Sequence, residues 1–322
     1  MASQIFQERI QDDRAWTADS IGQNRPWCLH LDRRLWDIID PVVQAWRQDP
    51  KPVTQVCLSE TRRQEGVELL ADVMSMLETG YGFVLLDRIP LDRYSHQEAT
   101  LAYWLIGQFM GQPFEQNVKG TSLYDVRDVG GDLSKGSRFS VTNARTSFHT
   151  DGSFNQVIAD HVGLLCLYTA KSGGESQMIS AYSLHNRLSE QNPDLLEVLY
   201  QPFHVDRRGE FKEGESPTSQ QPVFHWDGNE LTMRYLSYYI QEGHREVGLP
   251  LSDAQQKALG AIEDLLKEED LLVEFSVEPG QMLFCNNHWI LHNRNAYQDH
   301  GDPELRRHYV RLWLLRSGRS VS

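Results

Sequence analysis

His149-Thr150-Asp151, read together with the distant His292, constrains this chain more than any other feature. On an extended segment, side chains at i and i+2 leave on the same face, so one imidazole and one carboxylate can reach a single ion. A histidine from a second strand would complete a set of two imidazoles and one carboxylate. That set suits non-heme Fe(II) and leaves coordination positions open. A fold that uses it must lay two segments far apart in the chain side by side. His288 has the same strand parity as His292. Spacing alone therefore leaves two candidates for the third donor, and His-x-x-x-His would also suit zinc if this stretch were a helix.

The first third reads as helix-rich. Leu35 to Trp46 has helical apolar spacing, with a break expected at Pro41. Leu70, Val73, Met74 and Leu77 form a stripe that stops at Gly80, and Phe83 to Leu86 reads as a short buried strand. Ser95 and Glu98 make a capping box ahead of Leu101, Trp104 and Leu105, with Gly111 as the stop. From about residue 139 short strands separated by turn residues take over: 164–168, 223–226, 231–235, 272–277, 281–286, 288–292 and 309–314. One helix interrupts them, opened by Ser252 and Gln255 and burying Ala258, Leu259, Ile262, Leu265 and Leu266. Residues 205–222 are polar and read as a strand-free loop, long enough to suggest a lid. No linker divides the chain, so 1–322 is expected to be one domain, helix-rich over 1–138 and strand-rich over 139–316.

The net charge of −14 and the absence of a basic run argue against a nucleic-acid partner. The longest apolar run, 162–170, is too short to span a bilayer, and the N-terminus lacks the apolar core of a secretory signal. Cys28, Cys57, Cys166 and Cys285 are scattered, the last two inside apolar strands, which fits reduced thiols. A cytoplasmic enzyme with a small-molecule substrate is the expectation, and oligomeric state is not legible.

Further motifs follow the His-Thr-Asp in order. They are Gly173-Gly174-Glu175-Ser176, then Pro279-Gly280 leading through Asn286-Asn287 to His292-Asn293-Arg294, and finally Arg306-Arg307-His308-Tyr309-Val310-Arg311. This ordered set resembles the TauD/TfdA family of Fe(II)- and 2-oxoglutarate-dependent dioxygenases, most clearly from about 139 to 315. The resemblance implies a mostly β fold with flanking helices around a double-stranded β-helix, a jelly-roll, cupin-like core. It implies that His149, Asp151 and His292 ligate Fe(II), selecting His292 over His288. Asp151 also separates the chain from halogenating relatives, where a small residue replaces the carboxylate.

By the same resemblance Arg307 anchors the distal carboxylate of 2-oxoglutarate, a contact suited to the guanidinium fork. Ser176 stands where a threonine usually contacts the 2-oxo acid. Arg311 matches a position that binds a substrate anion in some relatives and supports the site in others. Gln116 and Asn117 fall where substrate contacts are found, with an ordinary polar loop as the plainer reading. Asn287 and His288 are candidates to hold the ligands from behind. The expected reaction uses Fe(II), 2-oxoglutarate and O2 to hydroxylate an unactivated C–H bond of a small polar metabolite, releasing succinate and CO2. Desaturation or cyclisation at the same centre is an alternative. A jelly-roll metalloenzyme using its ion as a Lewis acid is the rival class, which would have no use for Arg307.

Overall fold

The computed structural model describes residues 4–22, 24–131 and 141–318; the expected boundary at 138/139 lies outside them. The helices are α1 (Arg34–Gln48), α2 (Glu60–Leu69), α3 (Ala71–Glu78), α4 (His96–Met110), α5 (Ala181–Gln191), α6 (Pro193–Leu199), α7 (Ser237–Glu246) and α8 (Asp253–Leu265). The first strands are β1 (Cys28–Leu29), β2 (Phe83–Leu86), β3 (Gln112–Phe114), β4 (Leu123–Val126) and β5 (His161–Tyr168). Next come β6 (Ser172–Gly173), β7 (Ser176–Ser180), β8 (Pro202–Asp206), β9 (Thr218–Pro222), β10 (Phe224–Trp226) and β11 (Leu231–Met233). The last are β12 (Val273–Phe275), β13 (Met282–Asn286), β14 (Ile290–Arg294), β15 (Tyr297–Gln298) and β16 (His308–Leu315).

A large sheet runs β1-β2-β13-β5-β16-β3, with β4 also paired to β16, and a smaller sheet runs β12-β7-β14. Strand parity explains how the large sheet is used. Val84, Leu86, Met282, Phe284, Val310, Leu312 and Leu314 pack with α1 to α4 in one core cluster. Their neighbours Phe83, Leu85, Leu283, Cys285, Tyr309 and Trp313 belong to a second cluster on the opposite face. Both faces are covered, so Phe-Val-Leu-Leu is a continuous apolar run rather than an alternating one. The helical layer is anchored by the Ser95–Glu98 capping box, present as read from the sequence. Glu98 also binds Arg47 of α1, and this pairing holds its carboxyl down at about 2.

Two expectations need correction. α1 runs unbroken through Pro41. Pro41 and Asp37, whose carbonyl the ring deprives of a partner, are both exposed, so water can satisfy that carbonyl. Residues 205–222 are not strand-free. β8 and β9 form an antiparallel hairpin with Asp206 opposite Thr218, leaving 207–217 as the loop. β9 reads Thr-Ser-Gln-Gln-Pro and is held by main-chain pairing rather than by apolar alternation, which hid it. Helices α2, α5, α6 and α7 were also not anticipated. The lone helix expected after Ser252 is α8, with its Ser252–Gln255 capping box. Cys166 and Cys285 are buried free thiols, and Cys28 and Cys57 are exposed ones. Among the described residues no helix is long and apolar enough to cross a membrane.

Gly163 of β5 marks the closest approach of helix to sheet. A Cβ there would stand 2.4 Å from the Tyr103 hydroxyl and 2.5 Å from the Phe284 ring. Both are rigid, buried groups. Gly163→Ala is expected to destabilise the fold by about 2 kcal/mol through overpacking, read as a lower denaturant midpoint at unchanged m-value.

Candidate active site

The segment carrying His149 and Asp151 is extended and is held from both sides by main-chain bonds. His149 and His292 exchange N–H···O bonds of 3.0 Å in each direction, an isolated antiparallel bridge that docks the segment on β14. On its other edge, Thr150 N donates to Tyr235 O at 3.0 Å, and Tyr235 N returns a bond to Thr150 Oγ1 at 3.1 Å. Upstream, Thr146 Oγ1 donates to Asn293 Oδ1 at 2.6 Å and accepts from Arg294 N at 2.9 Å. Side chains at 149 and 151 thus leave on the face that His292 also addresses.

One donor atom from each of His149, Asp151 and His292 lies within 4.8 Å of the others. Asp151 Oδ1 is 3.6 Å from His149 Nε2 and 4.0 Å from His292 Nε2. His149 Nδ1 lies 2.8 Å from the Ser147 carbonyl and so carries its proton there, leaving Nε2 with a free lone pair. Burial, reinforced by His149, pushes His292 down to about 3 and keeps it neutral. Burial opposes ionisation of Asp151, but the Arg311 guanidinium and the two histidines hold its carboxyl far below the usual range. A neutral His292 beside an ionised Asp151 is in the protonation state a divalent ion requires.

Asp151 is held by three side chains. Asn287, fully buried, accepts from Asp151 N at 2.7 Å through Oδ1 and donates to Asp151 O at 2.9 Å through Nδ2. Arg311 Nη1 lies 3.1 Å from both carboxylate oxygens, and Trp313 Nε1 donates to Oδ2 at 2.9 Å. Gln116 Oε1 accepts from Arg311 Nε at 2.7 Å. Gly152 turns the chain at once, with φ of +63°, and a Cβ there would meet the Trp313 ring at 3.1 Å.

A cavity of about 130 Å³ opens beside these donors, between the two sheets. Val162, Leu164, Leu283 and Trp313 of the large sheet face Ser176, Met178 and His292 of the small one across it. Phe154, Leu236 and Tyr239 supply a wall that the sequence reading left unassigned. At one end lie Arg294 and Arg307, both stacked on Tyr297, at 4.6 and 5.2 Å from the ring centre. Burial and the neighbouring Arg307 lower Arg294 to about 10. Arg307 is 4% exposed and its buried Nη1 meets no hydrogen-bond partner among the described residues. A buried guanidinium with an unspent N–H calls for an anion.

The structure therefore brings His149, Asp151, His292, Ser176, Arg307, Arg311 and Gln116 to one cavity, with Asn287 directly behind Asp151. It does not bring Asn117 or His288 to the wall. Asn117 Oδ1 accepts from Lys119 N and Thr121 N, closing a turn. His288 turns onto Asp160, with Nε2 2.8 Å from Oδ1 of that fully buried carboxylate.

Comparison with known proteins gives this geometry its context. Residues 55–313 match the taurine catabolism dioxygenase TauD, TfdA family. The chain belongs to the TauD/TfdA family. It is accordingly a 2-oxoglutarate-dependent non-heme iron dioxygenase. It is 27% identical over 316 residues to FR-33289 synthase of Streptomyces rubellomurinus, spanning 97% of this chain and 91% of that one. It is 28% identical over 250 residues to a uridine-5'-phosphate dioxygenase of an Amycolatopsis species, spanning 74% and 87%. The fold resembles asparagine oxygenase solved with Fe(II), 3-hydroxyasparagine and succinate, at a TM-score of 0.67 and 16% identity over 90% of this chain and 93% of that one. It also resembles the non-heme iron oxygenase OrfP solved with iron and α-ketoglutaric acid, at 0.62 and 14% over 89% and 94%.

Removing the Asn287 amide would strip two buried main-chain groups of Asp151 of their partners. Asn287→Ala is expected to cost about 2 kcal/mol of stability, measured by chemical denaturation of the metal-free protein.

Proposed function

We propose that His149, Asp151 and His292 hold Fe(II), and that the family reaction is performed here as hydroxylation of a small polar metabolite. The convergence of two imidazoles and one ionised carboxylate on one side of the cavity carries this reading. With its cosubstrate and O2, the bound metal supplies oxidation of a C–H bond to an alcohol, with 2-oxoglutarate giving succinate and CO2. The chain contributes binding, orientation and exclusion of water.

Arg307 is assigned the distal carboxylate of 2-oxoglutarate, because its unspent buried Nη1 needs an anionic acceptor. Arg294 adds positive charge at that end while its own guanidinium is tied to the Thr142 and Ala144 carbonyls. Ser176, 8% exposed at the start of β7, offers its hydroxyl to the same cosubstrate. Substrate is assigned to the side bordered by Phe154, Leu236, Tyr239 and Gln116, where an apolar wall excludes water from the reacting carbon. Relatives named for acting on uridine-5'-phosphate, and oxygenases solved with hydroxylated asparagine or arginine, fit a small polar substrate class. We further read 1–322 as a single domain and the two facing sheets as a jelly-roll. Joint lining of one cavity by both sheets supports that reading. A cytoplasmic location is in keeping with it.

The deciding experiment is a metabolite screen for succinate formation with added Fe(II) and 2-oxoglutarate, comparing anaerobic and aerobic incubations. Succinate that needs both iron and O2 is expected, with an oxygenated product from at least one metabolite; 2-oxoglutarate left intact throughout would refute the reading. His292→Ala is expected to lose iron, whereas His288→Ala keeps it, because His288 is engaged by Asp160; metal content after dialysis distinguishes the two. Arg307→Lys should weaken 2-oxoglutarate by roughly tenfold to a hundredfold, the value of one charge-assisted contact, without loss of iron in an anaerobic titration.

A further inference from the structure

We infer that Arg311 and Trp313 are positioning residues for the Asp151 carboxylate, fixing it as a one-oxygen ligand, and that Arg311 is not the anchor of a substrate anion. The inference rests on the ligand assignment proposed above and adds to it.

An ionised carboxylate offers about four lone-pair sites, two on each oxygen. Oδ2 of Asp151 receives Trp313 Nε1 at 2.9 Å and Arg311 Nη1 at 3.1 Å, so both of its sites are in use. Oδ1 receives Arg311 Nη1 at 3.1 Å and is the carboxylate oxygen that faces His149 and His292. One site, on one oxygen, is left for a metal. For Oδ2 to coordinate as well, it would have to give up the indole N–H in a buried setting, at the cost of an unsatisfied donor.

The count of positions makes this consequential. An ion held by these three protein donors would keep open positions for the 2-oxo acid and O2. A carboxylate bound through both oxygens would close one of them. The indole and guanidinium thus protect the open position by occupying the second oxygen.

The charge arithmetic separates this role from substrate binding. Asp151 is 6% exposed, and Arg311 is the cation facing it. Gln116 accepts from Arg311 Nε and donates back to the Arg311 carbonyl at 2.9 Å, while Tyr124 and Trp313 lie at 5.2 and 5.1 Å from the guanidinium carbon. Drawing Arg311 towards a substrate anion would strip both carboxylate oxygens of the hydrogen bonds that hold Oδ2 off the ion. The approach of Trp313 is itself built in. The absence of a side chain at Gly152 leaves room for the indole, and strand parity on β16 sets residues 311 and 313 on one face.

The test uses the full chain, anaerobically, with no substrate present. Fe(II) affinity is measured by titration for wild type, Trp313→Phe and Arg311→Lys, followed by the visible charge-transfer absorption of each Fe(II)·2-oxoglutarate complex. Melting of each metal-free protein is the control for folding. Trp313→Phe keeps the ring and removes only the N–H; Arg311→Lys keeps the charge and loses the fork. Both are expected to weaken Fe(II) by about tenfold or more, with a displaced absorption band. Affinity within twofold of wild type and an unmoved band would overturn the inference and return Arg311 to the substrate. If Arg311→Lys fails to fold, Trp313→Phe alone decides by the same criteria. Failure of the wild-type protein to bind Fe(II) would instead refute the ligand assignment, before any variant is compared.

Discussion

The site depends on one short extended segment, Thr146 to Asp151, being gripped along both of its edges. A segment this short has no stability as a lone strand. Its partners are β14 through the His149–His292 bridge and, on the far edge, Tyr235 through both its main-chain groups. Tyr235 is in turn fully buried and donates its hydroxyl to Glu263 of α8 at 2.6 Å. The grip therefore extends from the small sheet to α8. Because the donors sit at both ends of a main-chain bridge, their spacing is set by backbone pairing rather than by the torsions of long side chains.

The two ends of the cavity differ in charge. At the metal end a buried carboxylate faces a guanidinium, so the pair is neutral before any ion binds. At the other end Arg294 and Arg307 share Tyr297, no carboxylate among the described residues lines the wall beside them, and burial together with Arg307 pushes Arg294 down. An anion entering there relieves a repulsion between two buried cations, whereas a neutral molecule of the same shape does not. Selectivity for a dicarboxylic cosubstrate thus follows from the charge of the cavity end as much as from the direction of any one hydrogen bond.

Much of this was legible before the fold was known, for identifiable reasons. The i, i+2 parity of His149 and Asp151 survives in any extended segment, so the donor pair could be read directly. Arg307 and Arg311 share parity too, and both reach the cavity. Trp313, two residues further on the same face, carried the same signal and was missed because an indole in a strand reads as core. Asn117 failed to reach the wall because a side-chain oxygen two residues before a backbone N–H prefers to close a turn. His288 shared parity with His292, but the turn at 287–289 precedes β14, so parity did not apply across it. The β8–β9 hairpin was illegible because its second strand has no apolar face to announce it.

The misses at Asn117 and at the β8–β9 hairpin fall in the same region, and that has a structural cause. The groups proposed to hold metal and cosubstrate sit on or beside paired segments, where periodicity speaks. The remaining wall is made by α7, its approach and residues 152–154, with the loop between β8 and β9 packed behind α7. Arg208, with φ of +50° and a side chain only 8% exposed, stacks on Tyr238 and Tyr239 at 5.5 Å, and Tyr239 lines the cavity. Glu210 accepts from Val118 N at 2.7 Å, tying this loop to the turn that follows Gln116. The substrate wall is thus bound to itself by contacts independent of the His149–His292 bridge. Its shape can change without disturbing the donors, which is how one metal-holding frame can serve different substrates.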